Sequence, residues 1–106
     1  MWRVNGQDLS MAEGDYGIQL PITINGTEFT ANDSLRITFK TARNGETILE
    51  KDFSIIVDST INLELSETES ALFPVGVYAY ALDWYQNGNF LCNIIPCATL
   101  RVVDKA

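Results

Sequence analysis

Apolar and polar residues alternate with a period of two along most of this chain, which is typical of half-buried β-strands. The clearest case places Leu35, Ile37 and Phe39 on one face, with polar residues between them. The same period recurs over residues 18–24 and 61–65. The chain therefore consists mainly of short strands, each with one face directed towards a core.

Asn-Gly dipeptides separate these runs and tolerate the positive φ angles that tight hairpin turns require. They occur at residues 5–6, 25–26, 44–45 and 87–88. About seven short strands with turn signals between them predict an all-β fold, a two-sheet antiparallel β-sandwich of the immunoglobulin-like type, with a small barrel as the alternative. We expect one domain over residues 1–106, in which residues 1–12 form an N-terminal arm or an extra strand.

Residues 47–57 predict one longer strand, paired with the preceding strand through the turn at 44–45. Lys51 interrupts its apolar face, so we expect a β-bulge near this residue. The apolar positions of this face are Leu49, Phe53, Ile55 and Val57.

Residues 77–86 are apolar on both faces, which predicts the central strand of a sheet. We expect residues 90–95 to form its hairpin partner and residues 98–103 to form a last strand, with Pro96 between the two. One face of the central strand carries Tyr78, Tyr80, Leu82 and Trp84, and the other carries Val77, Ala79 and Ala81. One face lines the core, and the other requires a cover, either the N-terminal arm with Trp2 or another subunit.

A single short helix is predicted near residues 66–72. Ser66 and Glu69 have the spacing of a capping box, in which each residue bonds to the backbone of the other. The segment 72–78 resembles the corner before the penultimate strand of immunoglobulin-like and fibronectin type III domains. That resemblance implies a structural role for Tyr78, whose hydroxyl would bond back to the backbone upstream.

The composition narrows the possible chemistry. The chain has no histidine, so serine–histidine and cysteine–histidine catalysis within it is excluded. Seven basic and fourteen acidic residues give a net charge of −7, and the scattered cations disfavour nucleic-acid binding. We expect no catalytic residues, no cofactor and no metal site. The sequence also shows no signal peptide and no apolar run that predicts membrane insertion.

Cys92 and Cys97 lie five residues apart on either side of Pro96. In regular strand geometry their side chains point to opposite faces, which disfavours a disulfide bond. We predict two free, mostly buried thiols. Two thiolates alone do not complete a tetrahedral zinc site.

Aromatic residues are the strongest candidates for a functional surface. The candidate interface or ligand face consists of Trp2, Tyr80, Trp84 and Tyr85. Such rings form protein-interaction hot spots or sugar-stacking platforms, and they also serve as ordinary core residues. Asp83 is the best single carboxylate for acid–base chemistry, but one carboxylate does not make a catalytic pair.

Four segments follow one another along the chain: GDYG at residues 14–17, DSLRITFK at 33–40, ESAL at 69–72 and GVYAYALD at 76–83. Their order resembles that of the N-terminal immunoglobulin-like domain of upper baseplate proteins from tailed phages of Gram-positive bacteria. The resemblance spans most of residues 11–104. It implies a non-enzymatic virion or prophage component that associates with itself or with other virion subunits, in the virion or the host cytoplasm. The alternative is a carbohydrate or cell-surface binding module.

Overall fold

Within residues 2–104, which are the residues described, the computed structural model contains eight β-strands and one short helix. They are β1 (Arg3–Asn5), β2 (Asp8–Ala12), β3 (Leu20–Thr23), β4 (Asp33–Lys40), β5 (Thr47–Phe53), β6 (Thr60–Leu63), α1 (Glu67–Ser70), β7 (Gly76–Gln86) and β8 (Asn89–Val103). Residue 1 of the predicted N-terminal arm and residues 105–106 of the predicted domain lie outside the described residues.

The strands form two sheets. The larger sheet has six strands in the order β1-β2-β8-β7-β4-β5, and the smaller pairs β3 with β6. The predicted all-β, two-sheet class is confirmed. The expectation of antiparallel pairing fails at one place, because β2 runs parallel to β8. The sheet is therefore mixed, and of the two alternatives for residues 1–12 the described part forms extra strands, since β1 and β2 make a hairpin at the sheet edge.

The core lies between the inner face of the larger sheet and the smaller sheet. Leu35, Ile37 and Phe39 of β4 are completely buried, as their alternation predicts. Ile61 and Leu63 of β6 cover them from the other side, and both are also buried. Full burial of each such side chain stabilises the fold by roughly 1.5–3 kcal/mol.

Strand β7 lies between β4 and β8, as predicted for a central strand. Its large side chains face the core: Tyr80 and Leu82 are buried opposite Phe39 and Ile37 of β4. The small residues are on the outer face, where Val77 is 54 % exposed. The outer face of β7 therefore carries Val77, Ala79 and Ala81 in its first half and Tyr85 near its end.

The prediction of a single strand over residues 47–57 is wrong in its second half. Strand β5 ends at Phe53, and the side chains of Ile55 and Val57 are 81 % and 63 % exposed. The bulge expected near Lys51 is present in β5, three residues earlier: Phe39 and Lys40 of β4 pair with Leu49 and Thr47, so Ile48 is the extra residue.

Lys51 itself stays in register on the core-facing side of this edge strand, opposite Ile37. Its Nζ atom donates to Glu64 O and to Glu69 Oε1, both at 2.7 Å. Because the ammonium group has these partners, the side chain of Lys51 can stay on the core-facing side of β5. An inward-pointing charge of this kind also hinders the pairing of an edge strand with another chain.

The two predicted terminal strands are a single strand, β8, which continues through Pro96. Gly76 pairs with Val102 and Gln86 pairs with Asn89, so ten residue steps of β7 face thirteen of β8. Register shifts at three places absorb the extra residues. Each shift changes which side chains face the core.

These register shifts affect the exposure of the two cysteine side chains. Cys92 and Cys97 are both free, as predicted, but both are exposed, so the prediction of buried thiols is wrong. The expectation assumed an uninterrupted alternation along two separate strands, and the irregular pairing of β8 with β7 does not preserve that alternation.

Helix α1 begins with the capping box that the sequence indicates. Ser66 Oγ accepts from Glu69 N at 3.1 Å, and Glu69 Oε1 accepts from Ser66 N at 2.9 Å. After the helix, the hydroxyl of Tyr78 donates to Pro74 O at 2.6 Å. These local bonds fix the chain between β6 and β7, where Phe73 enters the core.

Candidate functional site

The four aromatic candidates do not form one surface. Tyr80 and Trp84 occupy the inner face of β7, opposite Phe39 and Leu35 of β4. Tyr85 is on the outer face of the same strand. Trp2 lies before β1, at the edge of the larger sheet.

Tyr80 is part of the core and is only 3 % exposed. Its hydroxyl donates a hydrogen bond to Gln7 O, in the turn of the β1–β2 hairpin. Burial raises the pKa of Tyr80 to about 12, with a smaller contribution from the negative charge of Asp8. Tyr80 therefore fixes the hairpin to the central strand.

Trp84 is half-buried, and its indole nitrogen has a specific partner. The Nε1 atom donates to Asp33 Oδ1 at 3.0 Å, and the ring packs edge-on against Phe29 with centroids 5.1 Å apart. Asp33 is itself buried and accepts from Thr30 N at 2.7 Å and from Gln86 Nε2 at 3.2 Å. The backbone hydrogen bond from Thr30 lowers the pKa of Asp33, and the bonds from Trp84 and Gln86 reinforce this against its burial.

Asp33 was not among the residues predicted from the sequence. The available signal was that a half-buried indole N–H needs an acceptor. Asp83, the carboxylate singled out from the sequence, lies beside Trp84 in the chain but on the opposite face of the strand. It accepts a hydrogen bond from Asn93 Nδ2 on β8.

Tyr85 belongs to a polar and aromatic group on the outer face. The Arg36 guanidinium lies 4.8 Å from the centre of its ring, and Phe90 packs edge-on at 5.8 Å. Arg36 also donates to Asp52 Oδ1 at 2.7 Å. The guanidinium covers one face of the tyrosine ring, whereas Phe90 is 54 % exposed.

Trp2 closes the other end of the sandwich. Its Nε1 atom donates to Ile18 O at 3.0 Å, and its ring packs against the core beside Met11 and Leu65. This position is on the core side of the sheet. Trp2 accordingly does not cover the small outer face of β7.

An apolar groove of about 370 Å³ lies between β3 and the β1–β2 hairpin. This volume is within the range of sites that bind small molecules or peptide segments. Among residues 2–104, no charged side chain lines it. The lining residues are Val4, Gly6, Gln7, Leu9, Leu20, Pro21, Ile22, Thr23, Ile24, Asn25, Tyr80, Leu82, Ile94 and Ile95.

One wall of this groove is an open strand edge. Strand β3 pairs with β6 alone among the strands of residues 2–104. Ile24 N donates to Ser59 O at 2.8 Å, so by antiparallel alternation Ile22 and Leu20 also bond to β6. The backbone groups of Pro21 and Thr23 therefore face the open side.

The side chains of Thr23 and Thr60 support this register. Their hydroxyl oxygens are 2.9 Å apart, as expected of a non-hydrogen-bonded pair, in which side chains approach closely. The open edge thus presents the carbonyl of Pro21 and both the N–H and the carbonyl of Thr23. A proline at position 21 removes no hydrogen bond to β6, because the backbone N–H of another residue here would point to the open side.

Residues 2–104 were also compared with the requirements of a metal site and of a membrane-spanning helix. No group of three or more cysteine, aspartate or glutamate side chains within residues 2–104 is arranged to hold a metal ion. No helix in the same part of the chain has the length and apolar character needed to span a bilayer. Comparison of the chain with protein families, curated proteins and solved structures finds no significant match.

Proposed function

We propose that this protein is a non-enzymatic structural or assembly module of a phage or prophage tail or baseplate, acting through protein–protein contacts in the virion or the host cytoplasm. The observation that carries the proposal is the open β3 edge beside an uncharged apolar groove. Unpaired backbone groups next to an apolar surface suit the addition of an extended segment from a neighbouring protein. The resemblance of residues 11–104 to the baseplate domain supplies the biological setting.

The test is to locate the chain in particles. An epitope-tagged chain is expressed from its native locus, particles are released and purified on a density gradient, and each fraction is probed for the tag. We expect the chain in the tail or particle fractions at a fixed ratio to the other structural proteins. A chain that stays entirely in the free-protein fractions would contradict the proposal.

A carbohydrate-binding module is the second candidate, and the exposed Phe90 ring supports it. Phe90 lies on the outer face three residues before Asn93, which pairs with Asp83, so an aromatic face and polar groups are near one another. Sugars bind to such combinations of rings and hydrogen-bonding groups. A glycan array compares the native chain with Phe90→Ala, and binding that this substitution abolishes would favour the second candidate over the first.

A further inference from the structure

An exposed apolar segment follows strand β5, and we name residues 54–57 the donor segment. Ile55 and Val57 are 81 % and 63 % exposed, whereas Ile56 between them packs against the core. The segment therefore alternates as a strand does, with one apolar face directed to solvent. Exposed apolar side chains in an extended segment are a template for pairing with another chain.

The donor segment lies at the β6 edge of the smaller sheet. Thr60 N donates to Val57 O at 3.0 Å, and Val57 N donates to Thr60 O at 3.3 Å. Thr60 pairs with Thr23 of β3 on its other side. The donor segment and the open β3 edge are thus at opposite sides of the same two-stranded sheet, and one copy cannot bring them together.

We propose that the donor segment of one copy adds as a strand to the open β3 edge of a second copy, with Ile55 and Val57 entering the groove. This inference rests on the proposed function and names the partner as another copy of the same chain. The smaller sheets would then continue from copy to copy. Such a contact is heterologous, so it generates a ring if the rotation closes and a filament if it does not.

The groove and the donor segment match in being uncharged. Among residues 2–104, no charged side chain lines the groove, and none lies within the donor segment. Contact between them therefore buries no unpaired charge, which would be costly in an apolar interface. The chain carries a net charge of −7, so the repulsion between two copies acts from the rest of their surfaces and falls as salt screens it.

The size of the contact sets its strength. Strand β3 has four residues, so the added strand pairs over roughly 14 Å. Stable protein interfaces bury about 1,200–2,000 Å² in total, and a pairing of this length with two apolar side chains falls at or below the lower limit. A single contact is accordingly weak, and we expect association that depends strongly on protein concentration.

Sedimentation velocity of the full chain at concentrations from about 10 μM to 1 mM tests the proposal. The donor variant is the double substitution Ile55→Asp and Val57→Asp, at exposed positions that do not contribute to the core. The groove variant is Val4→Asp, at a wall residue that is 57 % exposed. Phe90→Ala is the matched control, an exposed apolar residue on the outer face.

We expect the native chain and the control to associate with rising concentration, and each of the two variants alone to stay monomeric. A mixture of the two variants combines one intact groove with one intact donor segment. It should form a complex of twice the 11.8 kDa monomer mass and nothing larger. Higher salt should leave the native association unchanged or strengthen it, because it screens the repulsion between acidic copies.

Several outcomes overturn the inference: a native chain that is monomeric throughout, variants that associate like the native chain, a mixture that stays monomeric, or association that salt weakens. Each differs from failure of the proposed function. A chain present in purified particles, with both variants incorporated normally, would retain the assembly role and refute this contact. A chain absent from particles whose variants complement one another would refute the assembly role and retain the contact.

Discussion

Replacing Lys51 by methionine removes an ion pair that links the edge strand β5 to helix α1. The ammonium group lies 2.7 Å from both Glu64 O and Glu69 Oε1. The side chains of Lys51 and Glu69 are only 23 % and 25 % exposed, so water replaces these bonds incompletely. Methionine keeps most of the aliphatic stem and removes the charge.

The magnitude follows from the burial of the pair. Hydrogen bonds to charged groups contribute about 1.5–3 kcal/mol, and fully exposed ion pairs contribute about 0–1 kcal/mol. For this mostly buried pair we expect Lys51→Met to lower the free energy of unfolding by about 2 kcal/mol at pH 7. For a domain of this size, that loss lowers the melting temperature by roughly 10 °C.

The loss of stability caused by Lys51→Met should depend on pH. Desolvation acts to raise the pKa of Glu69, but the hydrogen bonds from Lys51 Nζ and Ser66 N outweigh it and lower the pKa below its ordinary value. A carboxylate with a lowered pKa contributes stability that is complete above about pH 4.3 and is lost as the pH falls through the folded-state value. The difference between native and variant chains should therefore narrow towards pH 3, leaving the part due to Glu64 O.

Urea unfolding followed by tryptophan fluorescence at pH 7, 5, 4 and 3 measures this difference. Lys40→Met is the matched control, because Lys40 is on the outer face of β4 and no partner of its ammonium group is found within residues 2–104. A Lys51→Met variant that is no less stable than the Lys40→Met control, or a difference that grows as the pH falls, would refute the reasoning.

Three further predictions concern the core, the hairpin and the thiols. Phe39→Ala should lower the free energy of unfolding by about 3–5 kcal/mol, because this fully buried ring contacts two other aromatic rings; urea unfolding checks this, and a loss below about 1 kcal/mol would contradict it. Tyr80→Phe should cost about 1–2 kcal/mol at pH 7 by leaving Gln7 O unpaired. Because the pKa of Tyr80 is raised to about 12, native stability should fall as the pH rises from 10 towards 12, and the Tyr80→Phe chain should lose less over that interval in parallel melts. Both Cys92 and Cys97 should react with Ellman's reagent without denaturant, and thiols that appear only on unfolding would show that the exposure is wrong.

The local sequence pattern was sufficient to predict those elements whose structure is determined by residues close together in the chain. The alternation through Leu35, Ile37 and Phe39 identified a strand and its buried face, since a period of two admits no other arrangement once one face is apolar. The capping box of Ser66 and Glu69 located α1, because both of its hydrogen bonds form within four residues.

The rest depended on partners that are remote in the chain. Ile55 and Val57 have the pattern of a buried strand, but no element within residues 2–104 covers them, and the neighbouring sequence does not indicate this. The pairing of Trp84 with Asp33 joins residues 51 positions apart, and the adjacent carboxylate, Asp83, was the more visible candidate. The groove likewise arises from four separate segments, so no motif could have indicated it.

The parallel pairing of β2 with β8 sets an order of events during synthesis. Leu9 is opposite Leu100, so the first strand outside the N-terminal hairpin that pairs with it is made 91 residues after it. An isolated two-stranded hairpin is marginally stable in water, and distant pairings form slowly. At a ribosomal rate of about 5–20 residues per second, about 5–18 s pass between the synthesis of the hairpin and that of its partner strand. The larger sheet is therefore completed only when the last strand has left the ribosome, and chains truncated before β8 should remain sensitive to proteolysis along their whole length.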